Sequence, residues 1–438
     1  MVEAPLERGS MRAMTQIELS AADQAMIDGN YGEAARFAMR MVLGQAEVVG
    51  APRLIDVTSA HIDGCLYHGQ VSIDFADRLI AAGATVRIPS TLNVSALDLL
   101  HPDLYRGDPE TAREARRLMD LYVQMGCRPT WTCAPYQLAS RPRQGEHVAW
   151  AESNAIVFAN SVLGARTDRY GDFIDICAAI TGRVPHAGLH RKENRRGRIL
   201  FRLAGVHNRL LHEDVLYPVL GHIIGARAGT MIPVIEGLPR TTSEDQLKAL
   251  GAAAASSGAV ALFHAVGITP EAPTTNDAFQ GAEPEAVVDV PPDLLRQARD
   301  DLSTTSVGPI TAVSLGTPHF SLAEFERLMS LLDGFRLDPR VRLYVSTGRD
   351  TLAQVENRGW LSALEAAGAT LVTDTCTYIT PILDPESQVV MTNSGKWAYY
   401  APGNIGVEVV FGSTLECLRS AAEGNVWRDP ELWADPGR

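Results

Sequence analysis

The sequence lacks the short motifs that most directly identify an enzyme class. No Gly-x-Gly-x-x-Gly follows a predicted strand and no Gly-x-Ser-x-Gly elbow occurs. His186 and His190 are four residues apart, but no Glu follows the first, so the zinc motif His-Glu-x-x-His is absent. Gly395-Lys396 lacks the upstream glycine and the following Ser or Thr of a phosphate-binding loop. These absences argue against a dinucleotide enzyme, an α/β-hydrolase, a zinc protease and a P-loop nucleotidase.

The chain also lacks an excess of positive charge and a long apolar run. It has 39 Lys and Arg against 52 Asp and Glu, for a formal net charge of −13. A nucleic-acid or anionic-membrane surface needs a basic footprint, so both partners are disfavoured. No apolar run is long enough for a transmembrane helix, and the N-terminus does not resemble a secretory signal. We therefore expect a cytoplasmic protein, with residues 1–14 as an extension outside the fold.

Cysteine is scarce and scattered, with six residues in 438 and no Cys-x-x-Cys pair. The positions are Cys65, Cys127, Cys133, Cys177, Cys376 and Cys417. This number and spacing exclude a disulfide framework and weaken a structural zinc interpretation. Cysteines on separate loops can still converge on an iron–sulfur cluster, although most isolated cysteines are small buried hydrophobic residues.

The order of predicted elements is typical of an α/β protein. Strands and helices alternate along the chain, which predicts layered α/β lobes with mostly parallel sheets. A strand is expected over 85–88 and a helix over 147–163. Residues 267–293 are rich in Pro, Glu, Thr and Gly and predict a linker-like segment. We therefore divide the chain into a first lobe or lobes over 15–266 and a second lobe over 294–438.

Polar loops that carry His, Asp, Asn, Cys and Lys follow several predicted strands. They cover residues 58–69, 89–95 and 373–403, and a further Cys-bearing loop over 126–136 follows a predicted helix. Open α/β sheets bind ligands at the carboxyl ends of their strands, so these loops are the candidate site. Arg166 lies in a Gly-bounded turn that suits capture of a carboxylate or phosphate, and a solvated turn is the alternative.

Seven segments together resemble the large chain of aconitase X. They are SAHIDGCLYHG (59–69), TCAPY (132–136), ESNAIVFANSVLGARTDRYGD (152–172), ITGRVPHAGLH (180–190), FHAVGITPEAP (263–273), SLGTPHFSLAEF (314–325) and TNSGKWAYYAPG (392–403). This branch of the aconitase superfamily includes bacterial cis-3-hydroxy-L-proline dehydratases and archaeal mevalonate 5-phosphate dehydratases. The resemblance extends over roughly residues 15–425 and implies α/β lobes around a central cleft.

The resemblance further implies a hydro-lyase that uses an iron–sulfur cluster. Two of the three cysteines that hold the cluster in the archaeal branch match Cys133 and Cys376, and the third position is Thr317 here. Cys177 is the predicted replacement, with Cys65 as the alternative. The bacterial branch favours a 2Fe–2S cluster, and 3Fe–4S and 4Fe–4S clusters are the other forms considered.

In aconitase-like enzymes the base that removes the substrate proton is a serine on a small swivelling domain. The resemblance implies that a separate small subunit supplies this domain, because no such segment is recognised before Arg438. Ser394 is the alternative base within the chain, with Lys396 beside it. The predicted substrate-binding residues are His61, Asp63, Gly64, Cys65, Asn93 and Arg166, and His68 and His319 are further candidates for supporting groups.

The form of these motifs resembles the bacterial branch and predicts cis-3-hydroxy-L-proline as the substrate and Δ1-pyrroline-2-carboxylate as the product. Two alternatives stay open. One is dehydration of mevalonate 5-phosphate, which requires a pocket for a dianionic phosphate. The other is a non-catalytic subunit that binds a ligand with the same fold.

Overall fold

The structure, a computed structural model of the chain, describes residues 17–332 and 336–433, so the predicted extension over 1–14 lies outside the described residues. The strands are β1 (Leu54–Asp56), β2 (Ala60–Ile62), β3 (Ser90–Leu92), β4 (Ala149–Trp150), β5 (Arg183–Pro185), β6 (Ile199–Leu203), β7 (Pro233–Glu236), β8 (His264–Ala265), β9 (Ala286–Val290), β10 (Ala312–Phe320), β11 (Arg342–Thr347), β12 (Ala369–Val372), β13 (Val389–Thr392) and β14 (Glu408–Phe411).

The helices alternate with these strands. They are α1 (Ala21–Ile27), α2 (Glu33–Val48), α3 (Gln70–Ala81), α4 (Pro109–Gln124), α5 (Ser153–Ser161), α6 (Ile174–Thr181), α7 (Asn208–His212), α8 (Leu216–Ala228), α9 (Glu244–Ser257), α10 (Thr275–Ala278), α11 (Pro292–Asp301), α12 (Leu322–Leu332), α13 (Arg349–Asn357), α14 (Leu361–Ala366), α15 (Gly395–Ile405) and α16 (Thr414–Glu423).

Capping side chains mark the starts of several helices. The hydroxyl of Ser20 accepts the backbone N–H of Asp23, and the Asp23 carboxylate accepts the N–H and hydroxyl of Ser20. This capping box fixes the start of α1. At α4, Asp108 caps the first turn and Pro109 occupies the position where a missing N–H costs nothing.

Three of the four sheets are parallel. Their strand orders are β3-β2-β4, β8-β7-β6-β9 and β12-β11-β10-β13-β14, and β1 and β5 form a separate antiparallel pair. Crossover helices connect the parallel strands, as parallel pairing requires. This arrangement confirms the prediction of an α/β protein with mostly parallel sheets.

The predicted linker-like segment, residues 267–293, is part of the folded structure. It contains α10 and β9, and β9 pairs in parallel with β6 at the edge of the four-stranded sheet. Val287 and Asp289 face outward while Val290 is fully buried, which is the alternation of an edge strand covered on one face. The Pro- and Gly-rich composition belongs to the turns before β9 and gives no sign of this pairing.

Two large cores organise the chain. One packs α2, α3, α4 and α6 around the three-stranded sheet, with Met39, Ile73 and Leu118 fully buried. The other is shared by the four- and five-stranded sheets and includes Phe201, Leu250 and Trp397. Because this second core is continuous across both sheets, the loops at their ends are held at fixed relative positions.

Among the residues that the structure describes, no helix has both the length and the apolar character needed to cross a bilayer.

Candidate active site

The carboxyl ends of parallel strands from two sheets meet at one place. In the three-stranded sheet, β2, β3 and β4 lead directly to Asp63, Asn93 and Glu152. In the five-stranded sheet, Cys376 follows β12 and Ser394 follows β13. The two edges touch, because Lys396 on α15 forms an ion pair with Glu152. The polar loops predicted from the sequence therefore lie at strand ends, where open α/β sheets bind ligands.

Three potential metal ligands converge in the interior. The sulfur atoms of Cys133 and Cys376 and a ring nitrogen of His319 lie within 4.8 Å of one another, and all three residues are buried. The backbone N–H of His319 also points at the Cys133 sulfur, with 3.3 Å between nitrogen and sulfur. The structure thus brings together the two cysteines that the sequence predicts as ligands, with His319 beside them.

The hydrogen bond between the two thiols shifts their pKa values in opposite directions. Burial alone would raise the pKa of Cys133, but the hydrogen bond from Cys376 and the nearby His319 lower it below its ordinary value. The same hydrogen bond, together with burial, raises the pKa of Cys376 well above its ordinary value. One sulfur therefore has the thiolate character that metal binding requires.

His319 is held through both ring nitrogens. Nδ1 is 3.0 Å from the hydroxyl of Thr132, and Nε2 is 3.2 Å from the carbonyl oxygen of Thr375. A carbonyl only accepts, so Nε2 carries the proton and Nδ1 accepts from Thr132. To become a metal ligand, the ring would have to give up one of these bonds, so His319 fits better as a hydrogen-bonding support for the thiols.

This donor set fits an iron–sulfur group. Two buried thiols from separate loops, one with a lowered pKa and a backbone N–H directed at its sulfur, are the kind of environment that holds such clusters. The predicted third ligands are elsewhere. Cys177 lies on α6, and Cys65 packs in the same first core. The Cys65 thiol donates to the Ile62 carbonyl at 3.4 Å. Their role as third ligand stays a prediction.

The Lys396–Glu152 ion pair lies close to the thiols. Both side chains are only 6% exposed. Burial by itself would lower the pKa of Lys396, but the Glu152 carboxylate raises it well above its ordinary value, so the ammonium is charged. Glu152 has a positive φ of 71° and also accepts hydrogen bonds from the N–H of Ala155 and the amide of Asn154. Asn154 in turn donates to the Cys133 carbonyl at 3.1 Å, so the pair is tied to the cysteine loop.

Carboxyl groups outnumber bases around Asp63. This half-buried carboxyl accepts a hydrogen bond from the amide of Asn93. Burial and then the charges of Glu152 and Asp172 raise its pKa to about 8. Asp175 lies beneath it and accepts the backbone N–H groups of Asp63 and Gly64 at 2.7 and 3.0 Å. No basic side chain in the described part of the chain forms an ion pair with Asp63.

His61 is one of the predicted substrate residues that are fully buried. Its Nδ1 lies 2.8 Å from the hydroxyl of Thr91, while Nε2 has no hydrogen-bond partner of normal geometry. Burial lowers its pKa to about 3. The Asn93 side-chain amide and the Thr132 backbone are further hydrogen-bonding groups beside this ring. A buried ring nitrogen without a well-formed hydrogen bond to the described residues is suited to a polar ligand.

Two predicted residues have other local roles. Arg166 lies beside His147, and its guanidinium donates to the His190 carbonyl at 3.4 Å. Ser394 is the N-cap of α15, where its hydroxyl accepts the N–H of Trp397 and donates to the carbonyl of Thr317. The structure gives Arg166 no contact with the cysteine pair, and the proposed roles of both residues stay predictions.

Glu152 was not found from the sequence. The predicted helix over 147–163 covered it, whereas the structure has the short strand β4, a turn at Glu152 and then α5. The available signal was its position: an acidic residue before Ser-Asn at the start of an apolar helix is a frequent helix cap. Its pairing with Lys396, which is 244 residues away, leaves no mark in the local sequence.

The sequence matches three family models in order. Residues 16–193 match the model described as the aconitase X first domain, 197–300 the second domain and 310–423 the third domain. Cys133 falls in the first of these matches, and His319 and Cys376 fall in the third. The cysteine group therefore lies between two of the matched regions.

Named relatives extend over nearly the whole chain. It is 45% identical to a cis-3-hydroxy-L-proline dehydratase of Pseudomonas aeruginosa over 93% of this chain and 70% of the relative. The dehydratase of the same name from Hypocrea jecorina is 42% identical, over 93% and 69%. The phosphomevalonate dehydratase large subunit of Methanothermobacter thermautotrophicus is 36% identical, over 93% and 100%. The crystal structure of Thermococcus kodakaraensis aconitase X in its holo-form superposes with a TM-score of 0.82 at 30% identity, over 92% of this chain and 100% of that one.

Proposed function

The chain belongs to the aconitase X family of dehydratases, and from this we propose that it dehydrates cis-3-hydroxy-L-proline to Δ1-pyrroline-2-carboxylate. The choice of substrate rests on the sequence identity to relatives whose names state their substrates. It is 45% and 42% to two cis-3-hydroxy-L-proline dehydratases and 36% to a phosphomevalonate dehydratase large subunit, each over 93% of this chain.

The charge around the candidate site supports this choice. Lys396 is neutralised by Glu152, and Asp63 lies among carboxyl groups with no basic partner. A ligand that brings a positive charge, such as the secondary ammonium of hydroxyproline, supplies the basic partner that Asp63 lacks and favours ionisation of this carboxyl, whose pKa is otherwise raised to about 8. A dianionic phosphate would be repelled unless further bases were supplied. The alternative substrate, mevalonate 5-phosphate, is thus less well matched by the described residues.

The reaction breaks two bonds on neighbouring ring carbons. One proton leaves C2, the hydroxyl leaves C3 as water, and the resulting enamine tautomerises to the cyclic imine. An iron–sulfur group with an open coordination position supplies Lewis-acid chemistry toward a hydroxyl and a carboxylate when it is bound. We propose that Cys133 and Cys376 hold it, and that the His319 N–H stabilises charge on the Cys133 sulfur.

We propose that residues of the first matched region bind the substrate. The Asn93 amide lies between His61 and Asp63, and it donates a hydrogen bond to the Asp63 carboxyl. The backbone of residues 63–64 is fixed from beneath by the Asp175 carboxylate. This support keeps the loop from shifting when a ligand enters. Such pre-organisation is what places a reacting carbon correctly.

We propose that the base is a serine of a separate small subunit. Several relatives are named as large subunits, which implies a small partner in those proteins. Within this chain, the hydroxyl of Ser394 is already used at both ends, as acceptor for Trp397 and donor to Thr317. It would have to break the cap of α15 to remove a substrate proton. This geometry supports a base from outside the chain.

The test is an anaerobic assay of the chain co-produced with a small subunit encoded next to it. We expect consumption of cis-3-hydroxy-L-proline and formation of the cyclic imine, with visible absorption from the iron–sulfur group. Cys133→Ser and Cys376→Ser should lose both colour and activity. The matched control is Cys127→Ser, since Cys127 is also buried but is not part of the cysteine group.

The other outcomes identify the alternatives. Consumption of mevalonate 5-phosphate without consumption of hydroxyproline would replace the proposed substrate. A colourless protein that binds hydroxyproline without converting it, and that both Cys→Ser variants leave unchanged, would indicate a non-catalytic binding subunit.

A further inference from the structure

The backbone immediately before Cys376 has an unusual conformation. Asp374 has a φ of 62°, in the left-handed region that residues other than glycine seldom adopt. Such a conformation costs about 1 kcal/mol or more and persists where surrounding contacts determine it. Asp and Asn tolerate it better than most residues, because their short side chains can form local hydrogen bonds. The contacts around Asp374 show what holds it there.

The Asp374 carboxylate is fully buried and fully used. Arg349 donates to its two oxygens from Nε and Nη2, at 2.7 Å each. The backbone N–H of Leu99 donates to the same carboxylate at 3.0 Å, and the N–H of Ser95 donates to the Asp374 carbonyl at 2.7 Å. Arg349 and Asp374 belong to the third matched region, whereas Ser95 and Leu99 belong to the first. The bonds therefore cross between the two regions.

A second buried carboxylate forms hydrogen bonds between the first and third matched regions in the opposite direction. Asp98, which is 3% exposed, accepts the backbone N–H of Thr373 at 2.8 Å and the Thr373 hydroxyl at 2.9 Å. Each region thus sends one buried carboxylate to bind backbone N–H groups of the other. A buried, hydrogen-bonded network of this kind has one geometry, because any shift leaves a buried charge without partners.

Both ends of this network lead into the candidate site. Cys376 is two residues beyond Asp374, and Asn93 is two residues before Ser95. The hydroxyl of Ser95 donates to the carbonyl of Cys65 at 2.9 Å, which connects it to the loop that carries Asp63. We propose that Asp374, together with Arg349 and Asp98, is a positioning unit that fixes the Cys376 thiol relative to the substrate loops at 63–65 and 93–95. The proposal rests on the function proposed above.

The central test is Asp374→Asn in the cluster-loaded complex. Asn has the size of Asp and tolerates this backbone conformation. It lacks the negative charge, and its NH2 group cannot accept one of the two hydrogen bonds that Arg349 donates. We expect an altered visible circular dichroism spectrum of the iron–sulfur group, because its ligand geometry changes. We also expect kcat/KM for cis-3-hydroxy-L-proline to fall about tenfold to a hundredfold, the size of effect that a displacement of about 1 Å produces.

A matched control is Asp384→Asn. Asp384 pairs with Arg106 at 3.0 Å and with Arg342 at 3.2 Å, so it also connects the first and third matched regions, but it lies eight residues beyond Cys376 and is half-exposed. We expect it to leave the circular dichroism spectrum and kcat/KM unchanged. If Asp374→Asn does not fold, Arg349→Gln tests the same pair and leaves the Asp374 backbone intact.

Identical circular dichroism spectra and kcat/KM values for Asp374→Asn and Asp384→Asn would overturn the proposal. The spectrum is recorded without substrate, so it tests the positioning unit even if hydroxyproline proves not to be the substrate. Conversely, a changed spectrum together with no turnover of hydroxyproline by the unaltered complex would retain the positioning unit and reject the substrate.

Discussion

At the scale of single residues, the ion pair between Lys396 and Glu152 places two charges away from water in the candidate site. Both groups are almost completely buried, and each is the principal charge partner of the other. Removing water from two charges is costly, and only a close partner with further hydrogen bonds offsets that cost. Glu152 has such bonds from Asn154 and Ala155. The pair therefore depends on both members being present.

We predict that Lys396→Met destabilises the chain by about 3–5 kcal/mol, because Glu152 is then a buried charge without its partner. The double variant Lys396→Met with Glu152→Gln should cost clearly less than the sum of the two single changes. Urea unfolding of all four proteins measures this coupling. The control is Arg340→Met, because the Arg340 side chain is 77% exposed and its ion pair with Asp338 should contribute little to stability. Additive effects at Lys396 and Glu152 would contradict the prediction.

A second residue-scale prediction concerns acid. His190 is buried, hydrogen-bonded to Tyr170 and 2.9 Å from a ring nitrogen of His147. Burial, and then the neighbouring histidines, lower its pKa from 6.5 to about 3. The unfolded chain then binds a proton that the folded chain does not. The contribution to stability is therefore complete above pH 6.5 and declines steadily as the pH falls toward 3.

We expect this group to remove about 2 kcal/mol of stability between pH 7.5 and pH 5. The measurement is the free energy of unfolding in urea at the two pH values, for the unaltered chain and for His190→Asn. The variant is less stable at pH 7.5 but should lose less on acidification. His212→Asn, at an exposed histidine, is the control and should keep the full loss. Equal losses in all three proteins would show that His190 does not titrate in this way.

At the scale of elements, α15 begins inside the site. Ser394 caps this helix and its hydroxyl also donates to the Thr317 carbonyl, which belongs to β10. A helix cap of this type stabilises a protein by about 0.5–2 kcal/mol. Ser413 caps α16 in the same manner, with Glu416 completing a capping box, and lies at the end of the neighbouring strand β14. The two serines are therefore a natural comparison.

We predict that Ser394→Ala and Ser413→Ala each lower the free energy of unfolding by about 1 kcal/mol. With the small subunit present, kcat of the Ser394→Ala complex should stay within about tenfold of the unaltered complex, because the base comes from the partner. Steady-state assays and urea unfolding give both quantities. If kcat of the Ser394→Ala complex fell about 100-fold or more while its stability matched that of Ser413→Ala, Ser394 would be identified as the base instead.

At the scale of the whole molecule, the cysteine pair joins distant parts of the chain. Cys133 lies in the first matched region and Cys376 in the third, and their sulfur atoms share one hydrogen bond. A group bound to both would bind the folded chain and not the unfolded one. It would stabilise the fold by mass action and hold these two regions together.

We expect removal of the iron–sulfur group by a chelator under reducing conditions to lower the melting temperature. The corresponding loss of stability is about 3–4 kcal/mol for a group held at a hundred to a thousand times its Kd. Cys133→Ser, which cannot hold the group, should melt at the same temperature with and without the chelator. Cys417→Ala, at a buried cysteine outside the group, should retain the shift. An unshifted melting temperature for the unaltered chain would show that no such group stabilises it.

The sequence by itself determined the fold class and many of the elements. The alternation of strand and helix segments is a local property, and the predicted α/β layering with mostly parallel sheets is found in the structure. Local signals failed where a tertiary contact decides the structure. The strand predicted at 85–88 forms instead at Ser90–Leu92, and the helix predicted over 147–163 is divided into β4, a turn at Glu152 and α5. In each case the local sequence pattern does not specify where the element begins and ends, and pairing or packing with a distant segment determines it.

For the site, the sequence determined which residues could take part, and only the tertiary structure decided which of them meet. Cys133 and Cys376 are 243 residues apart, and Glu152 is 244 residues from Lys396. No local pattern specifies such distances. The cysteines converge because the loop after α4, which is hydrogen-bonded to β3, meets the loop that follows β12. Glu152 is buried against Lys396 because each charge needs a partner away from water. Conversely, Cys177 has the same chemistry as Cys376, but its helix packs it into the first core.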